Sequence, residues 1–276
     1  MRIRFWGARG SIPVSGAQYV KYGGDTACAE VRTGRDSVIV IDAGTGIRRL
    51  GKELRKEGKT SCHMLFTHLH WDHVMGFPFF SPIYGKNFKI DFLGCPFANG
   101  NLGDLIGRIM QPPHFPVSFG HIAAGFNFQP ICGGKTSVDD VAIDSITLSH
   151  PNGGMGYRFT QNGKVFVFLT DNELGYRHEA GLDSADYIRF CTNADLLVHD
   201  AEFTAAEYPA VRGWGHSTTD MALELALKAG VKKLGLFHHN QDRSDDALDA
   251  IVADCRKTAA GRVDVFAVSP DTALEL

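Results

Sequence analysis

The sequence of 276 residues lacks any apolar run of the roughly 18 to 20 residues that span a lipid bilayer. Its first residues, MRIRFWGARGSIP, carry two early arginines but no apolar stretch behind them. We therefore expect no secretory signal, no membrane partner and a cytoplasmic location. Low-complexity tracts, charge blocks and internal repeats are also absent, which argues against disordered and repeat architectures.

Cysteine is sparse, and no two cysteines form a Cys-x-x-Cys pair. This spacing argues against a structural zinc ribbon and against a disulfide framework. Because free cysteine behaves as a small hydrophobic residue, we expect mostly buried thiols in a reducing compartment. The six cysteines are Cys28, Cys62, Cys95, Cys132, Cys191 and Cys255.

Net charge is small, because 28 basic and 31 acidic residues give a formal charge of −3. Proteins that grip a long nucleic acid usually carry a basic face, so a long nucleic acid is disfavoured as a partner. A small anionic substrate needs only a local positive patch, which a metal cluster can supply. With 44% hydrophobic and 21% charged residues the chain is typical of globular proteins, and we expect residues 1–276 to form one domain.

Hydrophobic periodicity predicts short strands in the first half and strands alternating with helices in the second. Helices are predicted at residues 45–57, at residues 217–229 with Ser217 as N-cap, and at residues 244–259. This order predicts an α/β fold in which two β-sheets pack face to face with helices outside. Strands are predicted at residues 2–6, 27–33, 38–41, 64–67, 88–93, 143–149, 155–160, 165–170, 194–199, 232–238 and 263–267.

The 76 residues between His73 and His150 are the least regular part of the sequence and are rich in glycine and proline. We expect them to form a lid or a pocket wall. Residues 77–82 and 112–119 are rich in proline and phenylalanine, so they could line a pocket for a nucleobase or belong to the core.

Residues 65–76, LFTHLHWDHVMG, place three histidines and one aspartate within six positions directly after an apolar strand. His68 and His70 alternate along an extended segment, so both imidazoles can hold one metal ion. Asp72 and His73 begin a helical turn and face a second position. Zinc-like ions bind imidazole nitrogen and carboxylate oxygen, and catalytic sites leave one position open for water. The density of the motif disfavours the alternative, a solvated histidine cluster at a strand end.

Three further ligand types lie at the ends of predicted apolar strands: His150, Asp171 and His238. A lone histidine is usually a surface or satisfied core residue, but three equivalent placements indicate a shared site. We expect two divalent metal ions, with zinc first and manganese or iron also compatible. The expected ligands are His68, His70 and His150 at one ion, Asp72, His73 and His238 at the other, and Asp171 between them.

These motifs resemble the metallo-β-lactamase superfamily, and within it the branch containing ribonuclease Z and small phosphodiesterases. The resemblance implies the αβ/βα four-layer sandwich of that fold, an aspartate that bridges two metal ions, here Asp171, and weakly a homodimer. It spans nearly the whole chain and rests on FWGARGSIP, GGDTAC, IDAGTG, FTHLHWDH, SHPNGGMGYRF, LTDNE, LLVHDAEF, GHST and LFHH.

Two segments resemble ribonuclease Z in particular: HDAEF resembles its HEAT element, with Asp200 in place of the glutamate, and GHST resembles its histidine loop. The resemblance implies that His216 protonates the leaving oxygen and that Asp200 orients it; the alternative for His216 is a helix-capping loop residue. Ser217 and Thr218 follow at a predicted helix start, where free backbone N–H groups favour a phosphate. Arg158 could contact phosphate or pair with a buried carboxylate.

Two other histidines are weaker candidates. His199 ends a predicted strand and could orient a metal ligand. His239 points away from His238 if the strand continues, so we expect it to support a ligand or to lie at the surface.

The expected chemistry is phosphodiester hydrolysis, in which paired metal ions activate a water held by Asp72 while His216 protonates the departing oxygen. Ribonuclease Z carries a long arm between the counterparts of His150 and Asp171, but only 21 positions separate them here. A 3′,5′-cyclic nucleotide phosphodiesterase acting on a small phosphodiester is therefore the leading hypothesis. The alternatives are an RNA-processing endonuclease of ribonuclease Z type without the arm and a non-catalytic metal-binding sensor.

Overall fold

The computed structural model describes residues 1–94, 102–130 and 135–276. Within these residues, fourteen strands form two sheets of seven strands each. The first sheet contains β1 (Arg2–Gly7), β2 (Cys28–Arg32), β3 (Val38–Ile41), β4 (Ser61–Leu65), β5 (Lys89–Gly94), β6 (Gly125–Pro130) and β14 (Ala273–Glu275), in the order β14-β1-β2-β3-β4-β5-β6.

Both sheets are mixed, with a parallel part and an antiparallel part. Strands β3 to β6 of the first sheet and β10 to β13 of the second pair in parallel, and the remaining neighbouring strands pair antiparallel. Parallel pairing brings the carboxyl ends of adjacent strands to one edge of a sheet. The second sheet contains β7 (Thr136–Val138), β8 (Val141–Thr147), β9 (Met155–Gln161), β10 (Lys164–Leu169), β11 (Leu196–Asp200), β12 (Lys233–Phe237) and β13 (Asp264–Ala267), in the order β13-β12-β11-β10-β9-β8-β7.

The helices occur between the strands and cover the outer faces of the sheets. Short 3₁₀ turns lie at Ala17–Tyr19, Phe77–Phe79, Ser81–Tyr84 and Phe119–His121. None of the helices in the described ranges combines the length and hydropathy needed to cross a bilayer. The α-helices are α1 (Ile47–Lys56), α2 (Trp71–Val74), α3 (Leu102–Ile109), α4 (Ser184–Cys191), α5 (Tyr208–Val211), α6 (Thr219–Lys228) and α7 (Asp245–Ala259).

Strand β10 shows how the layers are held together, because its side chains alternate between two cores. Phe166 and Phe168 pack between the sheets, whereas Val167 faces the helices α4, α6 and α7. A strand buried on both faces reads as a continuous apolar run rather than an alternating one. A third core, which includes Leu50 and Phe92, lies under α1 on the outer face of the first sheet. The four-layer arrangement of two sheets flanked by helices is thus confirmed.

The region between His73 and His150 departs from the prediction of a lid. It contains β5, β6, β7 and β8, which extend both sheets, so the prediction is wrong for much of its length. Phe77 and Phe80 are fully buried in the core under α1, and Phe119 packs against it. Of the two interpretations of these aromatics, core packing therefore applies to them.

The thiols of Cys28, Cys62, Cys191 and Cys255 are unpaired and buried, as expected. Apolar surroundings explain their burial, because a thiol packs like a small hydrophobic side chain. The predictions for Cys95 and Cys132 fall outside the described residues.

Candidate metal centre

The predicted ligands meet where the carboxyl ends of strands from both sheets come together. In an α/β structure the loops after the parallel strands share one edge, and binding sites form there. The contributing segments are the β4–α2 connection with His68, His70, Asp72 and His73, the residues after β8 with His150, the residues after β10 with Asp171, the end of β11 with Asp200, and the residue after β12, His238.

His68, His70 and His150 form the first group of donor atoms, and all three atoms lie within 4.8 Å of one another. Nδ1 of His70 lies 3.0 Å from Nε2 of His150. Nδ1 of His150 lies 2.9 Å from the Gly215 carbonyl oxygen and can donate to it. This hydrogen bond would leave Nε2 of His150 as the nitrogen that faces the site.

Asp72, His73, Asp171 and His238 form the second group, again with donor atoms within 4.8 Å of one another. Oδ2 of Asp171 lies 3.3 Å from Nε2 of His238 in this group and 3.5 Å from Nε2 of His68 in the first. The Asp171 carboxylate therefore contacts both groups, as a bridging ligand must.

Carboxylates behind the candidate ligands fix the orientation of two imidazoles. Nδ1 of His73 lies 2.9 Å from Oδ2 of Asp42, and Nδ1 of His238 lies 2.9 Å from Oε2 of Glu202. Such partners set the tautomer and ring orientation of a ligating histidine. The sequence reasoning assigned no role to Asp42 or Glu202. Asp42 directly follows β3, so the rule that selected the other strand-end residues could have found it.

Three of these residues adopt a left-handed backbone conformation, although none is glycine. The φ angles are 62° at Asp42, 57° at Asp171 and 57° at His238. Such conformations are unfavourable for ordinary side chains and concentrate at functional sites, where the surrounding structure holds them. Each of the three ends a central parallel strand and turns its side chain toward the site.

The charges of the cluster favour a bound cation. Burial alone would raise the pKa of Asp72 and Asp171, but the adjacent histidines hold both pKa values well below the usual range. Burial alone would lower the pKa of His73 and His238, but Asp72 and Asp171 raise both well above the usual value. Buried carboxylates need compensating positive charge, which protons on histidine or a divalent ion can provide.

Two orphaned nitrogens show that the residues fit metal ions. Nε2 of His68 and Nε2 of His73 are buried and have no hydrogen-bond partner. Buried polar atoms in native proteins are nearly always bonded, and these two nitrogens belong to the residues of the two donor groups, where metal ions would bind them. Imidazole nitrogens together with carboxylate oxygens are donors that zinc and similar ions accept. The two groups are therefore compatible with a dinuclear metal site.

His216 lies beside this centre and is paired with Asp200. Its Nδ1 lies 2.8 Å from Oδ2 of Asp200 and 3.4 Å from Oε2 of Glu202. The His216 ring stacks on His238 with a centroid distance of 4.7 Å. Burial lowers the pKa of His216, but Asp200 and Glu202 together raise it to about 9. These carboxylates therefore favour the protonated form of His216.

The structure corrects the roles expected of Ser217 and Thr218. Ser217 is buried, and its hydroxyl donates to the Asn172 carbonyl at 2.6 Å while accepting from the Leu174 amide. Thr218, rather than Ser217, is the N-cap of α6, and its hydroxyl accepts from the Met221 amide. Both hydroxyls are bonded within the protein, so neither is free for a ligand, while the phosphate contact expected of the backbone N–H groups at this helix start stays a prediction.

Arg158 is not brought to the centre. Its guanidinium donates to the carbonyl oxygen of Phe190 at 2.7 Å, on the last turn of α4. Tyr157 and Phe159 point into the core between the sheets, so alternation along β9 turns Arg158 to the opposite, helix-covered face. The expectation of a phosphate contact or a buried carboxylate partner was therefore wrong.

The two weaker histidine candidates are both buried. Nδ1 of His199 lies 2.6 Å from the Asp200 carbonyl oxygen, and Nε2 lies 3.2 Å from the amide nitrogen of Asn172. His199 thus supports the loop after β10 rather than a ligand directly. His239 is 1% exposed and hydrogen-bonds to the Val268 carbonyl, so a surface location was wrong.

Glu173 is a further residue that the sequence reasoning did not single out. Its buried carboxylate accepts hydrogen bonds from the Tyr208 hydroxyl and from the backbone amides of Gly213 and Gly215, each at 2.7 Å. It also lies 2.9 Å from Nε2 of His178. Glu173 therefore holds the loop whose Gly215 carbonyl orients His150. Its position two residues after Asp171 in LTDNE was the available signal.

A family model described as the beta-lactamase superfamily domain matches residues 38–239. The chain belongs to this superfamily. The resemblance inferred from the motifs is thereby confirmed. Among relatives, Ribonuclease Z of Picrophilus torridus is 24% identical over 88% of this chain and 87% of its own length. Ribonuclease Z of Haloarcula marismortui is 24% identical over 95% of this chain and 93% of its own length.

Solved structures with the same fold cover the whole chain. The metallo-beta-lactamase fold protein YhfI from Bacillus subtilis superposes with a TM-score of 0.74 at 16% identity, over 100% of this chain and 98% of YhfI. Unliganded yeast PDE1 superposes with a TM-score of 0.72 at 14% identity, over 100% of this chain and 99% of PDE1. At these low identities, the similarity to YhfI and PDE1 shows only that this chain has the same fold.

Proposed function

We propose that this protein is a two-metal hydrolase that cleaves small phosphodiesters, and that 3′,5′-cyclic nucleotides are its substrates. One observation carries the proposal: two groups of metal-type donors share Asp171, and His216, paired with Asp200, lies beside them. The relatives named Ribonuclease Z support phosphodiester chemistry, because RNA is joined by phosphodiester bonds.

The proposed metal ligands are His68, His70 and His150 for one ion, and Asp72, His73 and His238 for the other, with Asp171 shared. We propose zinc because imidazole and carboxylate donors suit it, while manganese and iron accept the same donors. When bound, such ions lower the pKa of water and stabilise negative charge on phosphoryl oxygens. Elemental analysis of protein purified without added metal identifies the ion.

The protein's own side chains supply the proton transfers. Asp200 accepts from Nδ1 of His216, so Nε2 of His216 is the atom that would give a proton to the departing oxygen. The Asp72 carboxylate accepts a hydrogen bond from the Ser11 amide at 2.9 Å, which holds it in a position from which it would orient the attacking water and accept a proton from it. The acid, in the segment between α5 and α6, and the base, in α2, thus come from different parts of the chain.

The short segment between His150 and Asp171 supports a small substrate, because it leaves no room for a long arm of the ribonuclease Z kind. Strands β9 and β10 fill it as an antiparallel pair, joined at Asn162 and Gly163. The formal charge of −3 also disfavours a grip on a long polyanion. The alternative is an RNA-processing endonuclease without the arm, which the Ribonuclease Z relatives favour.

Comparing substrates on one enzyme preparation tests the proposal. Protein reconstituted with zinc or manganese is incubated with cyclic AMP, cyclic GMP, cyclic dinucleotides and precursor tRNA, and products are separated by chromatography. The proposal predicts nucleoside monophosphates from the cyclic mononucleotides. Cleavage of precursor tRNA alone would favour the endonuclease, and metal binding without cleavage of any phosphodiester would favour the sensor.

Two further parts of the proposal concern the chain as a whole. We propose that residues 1–276 act as one domain, because strands from both sheets contribute to the centre. The unpaired thiols of the described cysteines support the proposal of a reducing cytoplasmic location. Limited proteolysis and localisation of a tagged protein test these points.

A further inference from the structure

Three aromatic side chains near the metal centre are exposed although they are large. Trp71 and Trp214 are each 63% exposed, and Tyr176 is 42% exposed. Large exposed apolar side chains that lie close together commonly mark binding sites. We call Trp71, Trp214 and Tyr176 the aromatic rim.

Each residue of the aromatic rim is close to His150 along the chain or through a hydrogen bond. Trp71 follows His70, whose Nδ1 lies 3.0 Å from Nε2 of His150. Trp214 precedes Gly215, whose carbonyl oxygen lies 2.9 Å from Nδ1 of His150. The Tyr176 carbonyl accepts a hydrogen bond at 2.6 Å from the hydroxyl of Ser149, the residue before His150. The backbone that carries each residue of the aromatic rim therefore lies on the side of the centre formed by His68, His70 and His150.

The backbone segments that carry Trp71 and Trp214 are held in place. Trp71 begins α2, whose next residues Asp72 and His73 are buried in the centre. Glu173 accepts from the amides of Gly213 and Gly215, on either side of Trp214. The Arg212 guanidinium lies 5.4 Å from the centroid of the Tyr176 ring and is exposed, so it adds positive charge for an anionic ligand. Exposed aromatic faces together with a nearby cation suit a nucleobase and its phosphate.

We propose that the aromatic rim stacks the base of a nucleotide whose phosphodiester lies at the metal centre. This inference rests on the proposed function and deepens it: it assigns the residues that bind the base of the nucleotide and places that base on the His70 and His150 side. Trp71 and Trp214 are then specificity-determining residues. Stacking accepts every base, because each has a flat π-face, so discrimination among bases is weak.

A matched pair of substrates separates base recognition from bond cleavage. Thymidine 5′-(4-nitrophenyl) phosphate and methyl 4-nitrophenyl phosphate have the same leaving group, and only the first carries a nucleoside. Wild-type enzyme should prefer the thymidine ester in kcat/KM. Each of Trp71→Leu and Trp214→Leu should reduce that preference about 10-fold, the effect of losing one stacking contact. The control Phe128→Ala removes an exposed aromatic on the edge strand β6 and should leave the preference unchanged.

Binding without turnover gives a second measurement. The chain has three tryptophans, and Trp6 is buried with its Nε1 donating to Glu30 at 2.9 Å. Tryptophan fluorescence should therefore be quenched by adenosine 5′-monophosphate through Trp71 and Trp214, and not by ribose 5-phosphate. Quenching should fall in each leucine variant.

The results distinguish the proposed phosphodiesterase function from the proposed stacking of the base. Failure of the wild-type enzyme to cleave either ester would contradict the proposed function. Cleavage of both esters with equal kcat/KM, or a preference unchanged in both leucine variants, would overturn the base-stacking role alone. Conversion of a dimer to a monomer by those variants, with the preference unchanged, would instead assign the aromatic rim to an interface between two copies of the chain.

Discussion

Nδ1 of His216 lies 2.8 Å from Oδ2 of Asp200, and the Asp200 side chain has no exposed surface. This pairing leaves the other ring nitrogen of His216 available for proton donation. The pair lies beside the candidate metal ligands: Oδ2 of Asp171 is 3.9 Å from Nδ1 of His216. Because His216 is proposed as the acid and not as one of the seven metal ligands, the proposal gives separable predictions for catalysis and for metal content.

His216→Ala should reduce kcat by about 10²–10⁴-fold, the usual contribution of a general acid. Metal content should stay near that of the wild type, because His216 is not among the seven proposed ligands. Steady-state kinetics with a poor leaving group and elemental analysis of the same sample check both parts. Wild-type turnover by this variant would remove the assignment of His216 as the acid.

The pH dependence of kcat/KM should have an alkaline limb set by His216. Burial lowers its pKa, but Asp200 and Glu202 raise it to about 9, so the proton is present at neutral pH and is lost as the pH rises through that value. Asp200→Asn removes one of the raising charges, so the alkaline limb should move to lower pH. A pH–rate profile at saturating metal measures the shift. An alkaline limb at the same pH in both proteins would contradict this account.

Glu173→Gln should lower kcat/KM by about 10- to 100-fold, the usual effect of losing a residue that orients a metal ligand. The amide would turn an NH₂ group toward donors that now face a carboxylate, among them the amides of Gly213 and Gly215. Tyr208→Phe removes a single donor to Glu173 and should have a smaller effect. If Glu173→Gln had no larger effect on kcat/KM than Tyr208→Phe, Glu173 would have no positioning role.

Gly10→Ala should weaken metal binding at His238. A Cβ atom at Gly10 would lie 2.2 Å from Nδ1 of His238, closer than atoms can approach, so the imidazole would have to move. Metal content should fall from about two ions per chain toward one, as measured by elemental analysis after dialysis. The matched control Gly120→Ala places its Cβ where no atom lies within 4 Å and should retain both ions. Full metal content in Gly10→Ala would show that the position tolerates a side chain.

Most of the candidate site could be predicted because its residues follow a simple rule. His150, Asp171 and His238 each come after an apolar strand, and parallel strands in one sheet end at the same edge. The fold followed from the same apolar strands. Asp42 follows β3 and fits the same rule, although it was not selected, whereas Glu202 differs from other acidic residues only in what it contacts.

The errors have equally specific causes. Serine and threonine are both good N-cap residues, so the sequence does not distinguish Ser217 from Thr218 at this position. The hydroxyl of Ser217 is instead bonded to Asn172 and Leu174 in the loop after β10, a contact that only the folded structure shows. Arg158 was assigned to phosphate although Tyr157 and Phe159 on either side already indicated that it faces away from the core. Glycines and prolines between β4 and β8 concealed β6 and β7, whose edge positions tolerate weak strand signals.

The most direct test of the central claim is a titration of metal-free protein with zinc in which bound metal and phosphodiester hydrolysis are measured together. The account predicts about two ions bound per chain, no hydrolysis before metal is added, and full activity only when both ions are bound. Asp171→Asn removes the charge of the shared ligand, so activity should be lost even with excess zinc. Full hydrolysis by the chelated protein, or by Asp171→Asn without bound metal, would contradict the account.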